Sequence, residues 1–110
     1  MPTIERENYK PEPAHFYRYG DPIKVADHLE LLARRVEKGN LEIPTEHHKL
    51  FETTLLQHEF PEAGRKAAVL LGFIGTPALV KVLETAKRIE RDDLVKKAIE
   101  AAIGRLKKKR

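Results

Sequence analysis

The first half of the stretch RKAAVLLGFIGTPALVKVL, residues 65–83, returns in outline 32 residues further along the chain. That shift lays Gly64-Arg65 on Lys96-Lys97, Leu71-Gly72 on Ile103-Gly104, and Ile74 on Leu106. A period in this range marks helical arrays, in which each helix pair buries its apolar face only against the next pair. Ala67, Ala68, Ala98, Ala101 and Ala102 let two helix axes approach closely, and Gly72 and Gly104 are expected where neighbouring backbones touch. A glycine inside a helix costs about 1 kcal/mol relative to alanine, and close packing is the expected compensation.

Around this core the chain divides simply. Residues 1–20 hold Pro2, Pro11 and Pro13, lack a periodic apolar pattern, and read as an extended arm rich in aromatic residues and proline. Residues 21–110 read as one helical domain with a basic C-terminal tail. Asp21 has the position of an N-cap with Pro22 behind it, and Leu29, Leu32, Ala33 and Val36 form a stripe over about 22–38, closed by Gly39. Thr45 is the next expected cap, and Leu50, Phe51, Thr54 and Leu55 make the stripe of a helix over about 46–58. Pro61 starts a third helix, with Ala67, Leu70, Leu71 and Ile74 on one side and Gly75 as a left-handed stop. Thr76 and Pro77 begin a fourth, striped by Leu79, Val82, Leu83 and Ala86, and the short link implies an αα-hairpin between third and fourth. Asp92 or Asp93 caps a fifth, carried by Val95, Ala98, Ile99, Ala102 and Leu106.

At 110 residues the chain is long enough for one core and too short for two. No apolar run approaches the roughly 20 residues that a membrane span needs. The N-terminal residues MPTIERENYKPEPAH place carboxylates and prolines where a secretory signal has an apolar core. With cysteine absent as well, the expectation is a cytoplasmic protein. Twelve lysines and thirteen glutamates stand against only Asn8, Asn40 and Gln57, a bias typical of thermophiles.

The segment AGRKAAVLLGFIGTPALVKVLETAKR resembles a HEAT-like repeat of the phycobilisome-lyase type. In that pattern a helix runs basic-basic-Ala-Ala, then Leu-Gly, then Ile-Gly, into a polar-Pro turn. Ala67, Ala68, Leu71, Gly72, Ile74, Gly75 and Pro77 match it, and Val95, Lys96, Lys97, Ala98, Gly104 and Leu106 match it again. The likeness covers residues 63–106, while residues 21–58 fit only as helices of suitable length, a divergent repeat or a cap. What the resemblance implies is an all-α fold, a short HEAT-like α-solenoid of about five helices. A five-helix bundle built from the same faces is the alternative.

Catalytic chemistry finds little support. The resemblance brings in deoxyhypusine hydroxylase, whose repeat helices carry paired His-Glu iron ligands about six residues before the Leu-Gly, but Arg65-Lys66 and Lys96-Lys97 stand there, and cations do not ligate iron. His47 and His58 share a face but are separated by roughly 16 Å of helix rise, too far for one metal. Serine and cysteine are absent, no Gly-rich phosphate loop follows a strand, and no threonine has an evident base beside it. The expectation is therefore no enzyme, no catalytic or metal site, no cofactor and no small-molecule substrate.

The surface carries the rest. Residues 1–60 hold eight Lys/Arg against eleven Asp/Glu, whereas residues 61–110 hold thirteen against six. The aromatics Tyr9, Phe16, Tyr17 and Tyr19 crowd the arm, either docked on the chain's own first helix or reaching a partner. The first functional expectation is a non-catalytic adaptor that binds another protein, or a second copy of itself, through its repeat faces and these aromatics. The alternative is sequence-tolerant nucleic-acid binding along a basic strip of Arg65, Lys66, Lys87, Arg88, Arg91, Lys96, Lys97, Arg105, Lys107, Lys108, Lys109 and Arg110.

Overall fold

Aspartates and prolines start the helices where their positions imply. The computed structural model describes residues 10–108, which form α1 (Ala14–Tyr19), α2 (Pro22–Glu37), α3 (His48–Gln57), α4 (Pro61–Ile74), α5 (Val80–Ile89) and α6 (Asp93–Lys107). No strand occurs among the described residues. Asp21 accepts hydrogen bonds from the Ile23 and Lys24 N–H groups, and Asp92 does the same for Leu94 and Val95. Each carboxylate satisfies donors that the first helical turn leaves open and meets the positive end of the helix dipole. Pro22 and Pro61 sit at first helical positions, where a missing N–H is harmless.

Several local expectations need correction. The arm is not extended throughout, because residues 14–19 form α1, whose Phe16 and Tyr17 pack against the core and stabilise a helix too short to stand alone. Pro44, not Thr45, occupies the N-cap position before a 3-10 turn over Thr45–His47. Thr76 precedes a second 3-10 turn, Pro77–Leu79, and its side chain makes no capping bond. The left-handed stop falls at Gly39, with φ 79°, where Gly39 N–H donates to the Val36 carbonyl and Asn40 N–H to the Arg35 carbonyl, the Schellman pattern. Gly75 has φ −67° and is needed for space instead. A Cβ there would stand 2.6 Å from both the Leu71 oxygen and Leu79 Cδ2.

α4 is the centre of the molecule and packs against α6, α2 and α3. Its apolar face buries Ala63, Ala67, Ala68, Leu70 and Leu71. Three close approaches fix how α6 lies on it: a Cβ on Gly64 would meet Val95 at 3.9 Å, one on Gly72 would meet Ala102 Cα at 2.9 Å, and one on Gly75 would meet Leu106 at 3.3 Å. Residues advance together along both helices, so α4 and α6 run side by side in the same direction. The hairpin expected between α4 and α5 does not form as drawn: α5 packs on α6, as α3 packs on α4. The 3-10 turn at Pro77–Leu79 lengthens the link, and Leu79, Leu83 and Ala86 are buried in the common core. The radius of gyration, 13.5 Å, matches the value of about 13 Å for one compact domain of this length.

α1 closes the other side through Tyr17, whose side chain is fully buried. Its ring meets Phe16 and Phe51 edge-on, with centroids 5.5 and 5.6 Å away, and lies 5.6 Å from the His28 ring. Tyr17 Oη accepts the Glu12 N–H at 3.0 Å and contacts His28 Nε2 at 3.0 Å. Behind it, the buried Thr54 hydroxyl donates to the Tyr17 carbonyl at 2.7 Å, filling an acceptor that the last turn of α1 leaves open.

Burial holds the His28 pKa below its ordinary value, opposed in part by the nearby Glu12 carboxylate. The unfolded chain therefore takes up a proton before the folded one does, and stability present above histidine's ordinary range is lost as pH falls through it. Thermal melts from about pH 7.5 to about pH 5.5 are expected to show a falling Tm. The slope should flatten in His28→Gln. Equal slopes in the two proteins would show that His28 is not the group responsible.

Candidate functional site

Three helix-to-helix turns come together at one edge. His58 Nε2–H donates to the Gly20 carbonyl at 3.0 Å, tying the α3–α4 turn to the α1–α2 turn. The Phe60 N–H donates to Nδ1 of the same ring at 3.1 Å, which leaves Nε2 to carry the proton. Gly64, near the start of α4, looks onto both the Leu55 carbonyl and Val95 near the start of α6, and this brings the α5–α6 turn to the same end. The edge carries Tyr19, Ile23, Phe60, Ile89 and Leu94, between 47% and 70% exposed. Each flanks a turn and escapes the core stripe of its own helix. All five stand at the end where α2, α4 and α6 begin, whereas the exposed Leu31 and Val69 lie at mid-helix.

The aromatic residues expected at a partner separate accordingly. Tyr17 is a core residue that no partner can reach, and Phe16 is half-buried against the same core. Tyr19 is exposed on the turn edge, with the Arg18 guanidinium 4.9 Å from its ring centroid. Tyr9 lies outside the described residues, as do Lys109 and Arg110.

The cations expected along one strip are divided among several places. Arg65 donates to Glu62 at 2.9 Å, and the half-buried Lys66 donates to Glu30 of α2 at 3.0 Å. Lys66 in turn holds the Glu30 carboxyl below its usual range by hydrogen bond and charge. Arg105 lies over the Phe73 ring at 4.4 Å, and with Lys108 it borders a shallow cleft beside Gly72 and Gly104. Arg91 and Lys97 line neither this cleft nor the next.

Lys87, Arg88, Lys96 and Lys107 do share a site, an open cleft of about 830 Å³ between α5 and α6. Lys81, Glu84, Thr85, Glu100 and Ile103 complete its walls. Lys87 bridges the two helices to Glu100 at 2.7 Å and depresses the Glu100 pKa by hydrogen bond and charge. Sequence reading missed Lys81, Glu84 and Glu100, because their meeting depends on α5 lying against α6 and not against α4. The spacing of Lys81, Glu84, Thr85 and Arg88 along α5 was the available signal, since it marks one polar helix face. Among the described residues, no three His, Asp or Glu side chains gather where they could hold a metal, and no helix is long and apolar enough to cross a membrane.

No protein-family model, no curated protein and no solved structure matches this chain.

Proposed function

We propose that this chain is a non-catalytic, HEAT-like interaction module that binds another protein through its turn edge. The observation carrying this reading is the grouping of Tyr19, Ile23, Phe60, Ile89 and Leu94 at the turns that lead into α2, α4 and α6. The packing of α4 against both α2 and α6, with α3 and α5 each laid on a neighbour, supports a short solenoid in which such turns recur along one edge. Recurrent turns present a row of side chains without disturbing the core.

The nucleic-acid alternative draws on the same cations, but Arg65, Lys66 and Lys87 are engaged by Glu62, Glu30 and Glu100. A phosphate chain would have to displace those carboxylates. Light scattering on the purified chain, and pull-down from cells of its source at moderate salt, are expected to give a dimer or one stable partner. The Ile23→Ser, Phe60→Ser, Leu94→Ser triple variant should lose it while melting as a folded protein. A monomer that retains nothing, or an association unchanged in the folded variant, contradicts the proposal.

A further inference from the structure

A shift of 32 residues carries Gly64, Ala68, Leu71 and Gly75 onto Lys96, Glu100, Ile103 and Lys107. The first four fall on one side of the α4 end of the repeat. That side is where α6 is seated, for Gly64 lies against Val95 and Gly75 against Leu106, and Ala68 and Leu71 are fully buried between them. The second four all line the cleft between α5 and α6. The α6 wall of the cleft thus stands where α4 receives α6, although α6 is seated on α4 and not on α3, and Gly104, the equivalent of the Gly72 that meets Ala102, opens to the neighbouring cleft. Its position in the repeat is that of a berth for a helix.

Its chemistry differs from the seat on α4. There the floor is small and apolar, and it receives Val95, Ala102 and Leu106. Here only Ile103 is apolar, and five cations, Lys81, Lys87, Arg88, Lys96 and Lys107, face two carboxylates, Glu84 and Glu100. Covering lysines without supplying carboxylates is strongly unfavourable. A plain apolar helix is therefore rejected.

We propose that this cleft binds an acidic amphipathic helix of another protein, with an apolar residue over Ile103 and carboxylates toward the flanking lysines. The inference rests on the interaction-module reading but uses a surface separate from the turn edge. Three observations select this occupant. Glu84 and Glu100 interrupt the unbroken positive track that a continuous phosphate chain follows, whereas a helix can space its carboxylates to miss them, and no aromatic ring lines the cleft for base stacking. In an end-to-end stack, a second copy would bring α2, whose exposed Lys24, Asp27, Leu31, Arg34 and Lys38 carry more cations than anions. Like charges would then face each other.

The test titrates the ¹⁵N-labelled full chain with three probes: a synthetic helical peptide of roughly 15 residues with a leucine stripe flanked by glutamates, the same peptide with lysines for the glutamates, and oligothymidylate. The glutamate peptide is expected to shift the amides of Lys81, Lys96, Ile103 and Lys107, and the lysine peptide is expected not to. A Lys81→Glu, Lys107→Glu double variant, altered only at exposed positions, should weaken binding by about tenfold or more. The turn-edge variant should bind the peptide as the wild type does, so failure of the edge and failure of the cleft are told apart. No shift at the cleft, equal response to the lysine peptide, oligothymidylate binding there as tightly, or an unaffected double variant would each overturn the proposal.

Discussion

Tyr17→Ala is expected to remove about 3–5 kcal/mol of stability, the range for deleting a fully buried aromatic ring. The ring fills the space between α1, α2 and α3, and it takes with it the edge-on contacts to Phe16 and Phe51. Glu12 N–H and His28 Nε2 lose their shared partner at the same time. A domain of this size is stable by about 5–15 kcal/mol, so the variant should lose between about a fifth and the whole of that stability. Tyr17→Phe keeps the packing and loses only the hydroxyl, at about 0.5–1.5 kcal/mol. Urea unfolding followed by circular dichroism measures both. If Tyr17→Ala unfolds within about 1 kcal/mol of the wild type, α1 is not anchored as described.

The second large effect is expected at Gly72. A Cβ there would lie 2.9 Å from Ala102 Cα and 3.0 Å from Ala102 Cβ, while Arg105 Cδ would be 3.4 Å away. The nearest atom belongs to the backbone and cannot swing aside, so α6 must move away from α4. Gly72→Val should therefore lose about 2–3 kcal/mol, the upper part of the range for overpacking, despite valine's better helix propensity. Gly104, its repeat equivalent, behaves oppositely: a Cβ there meets nothing within 4 Å. Gly104→Ala should gain up to about 1 kcal/mol from propensity and reduced unfolded-state freedom. Two glycines that the sequence presents as equals thus take opposite signs. The difference arises because α4 has α6 against that position and α6 has no described helix against its own.

The extent to which the sequence foretold the structure follows the range of each signal. Asp21, Asp92, Pro22 and Pro61 act within one turn of where they stand, and each helix start they imply is found. The stripes Leu29–Leu32–Ala33 and Phe51–Thr54–Leu55 are buried as their spacing requires. What the pattern leaves open is which helix each stripe meets. α5 was free to fold back on α4 or onward to α6, and the choice rests on the extra turn at Pro77–Leu79 and on Leu79 reaching Gly75. The aromatic segment Phe16–Tyr19 gave no periodic signal because α1 is six residues long, and only its contacts with His28 and Phe51 make it a helix worth forming.

The cleft was legible in part. Lys87, Arg88, Lys96 and Lys107 stood out as basic residues, yet a net charge says nothing about which cations share a wall. Lys66 and Arg65 belonged to the same sequence pattern and are spent on Glu30 and Glu62. The carboxylates that decide between a phosphate chain and an acidic helix, Glu84 and Glu100, enter only through the packing of α5 on α6.

The side-by-side, same-direction packing of α4 and α6 underlies the turn edge, the glycine contrast and the helix-shaped cleft alike. A ¹³C-edited nuclear Overhauser experiment on the full chain reads it directly. Gly64 α-protons should show cross-peaks to the Val95 methyls, Gly72 α-protons to the Ala102 methyl, and Gly75 α-protons to the Leu106 methyls. Cross-peaks joining Gly64 to Leu106 and Gly75 to Val95 would mean the helices run in opposite directions, and the absence of all three would mean they do not touch. Either result contradicts the structure on which these proposals stand.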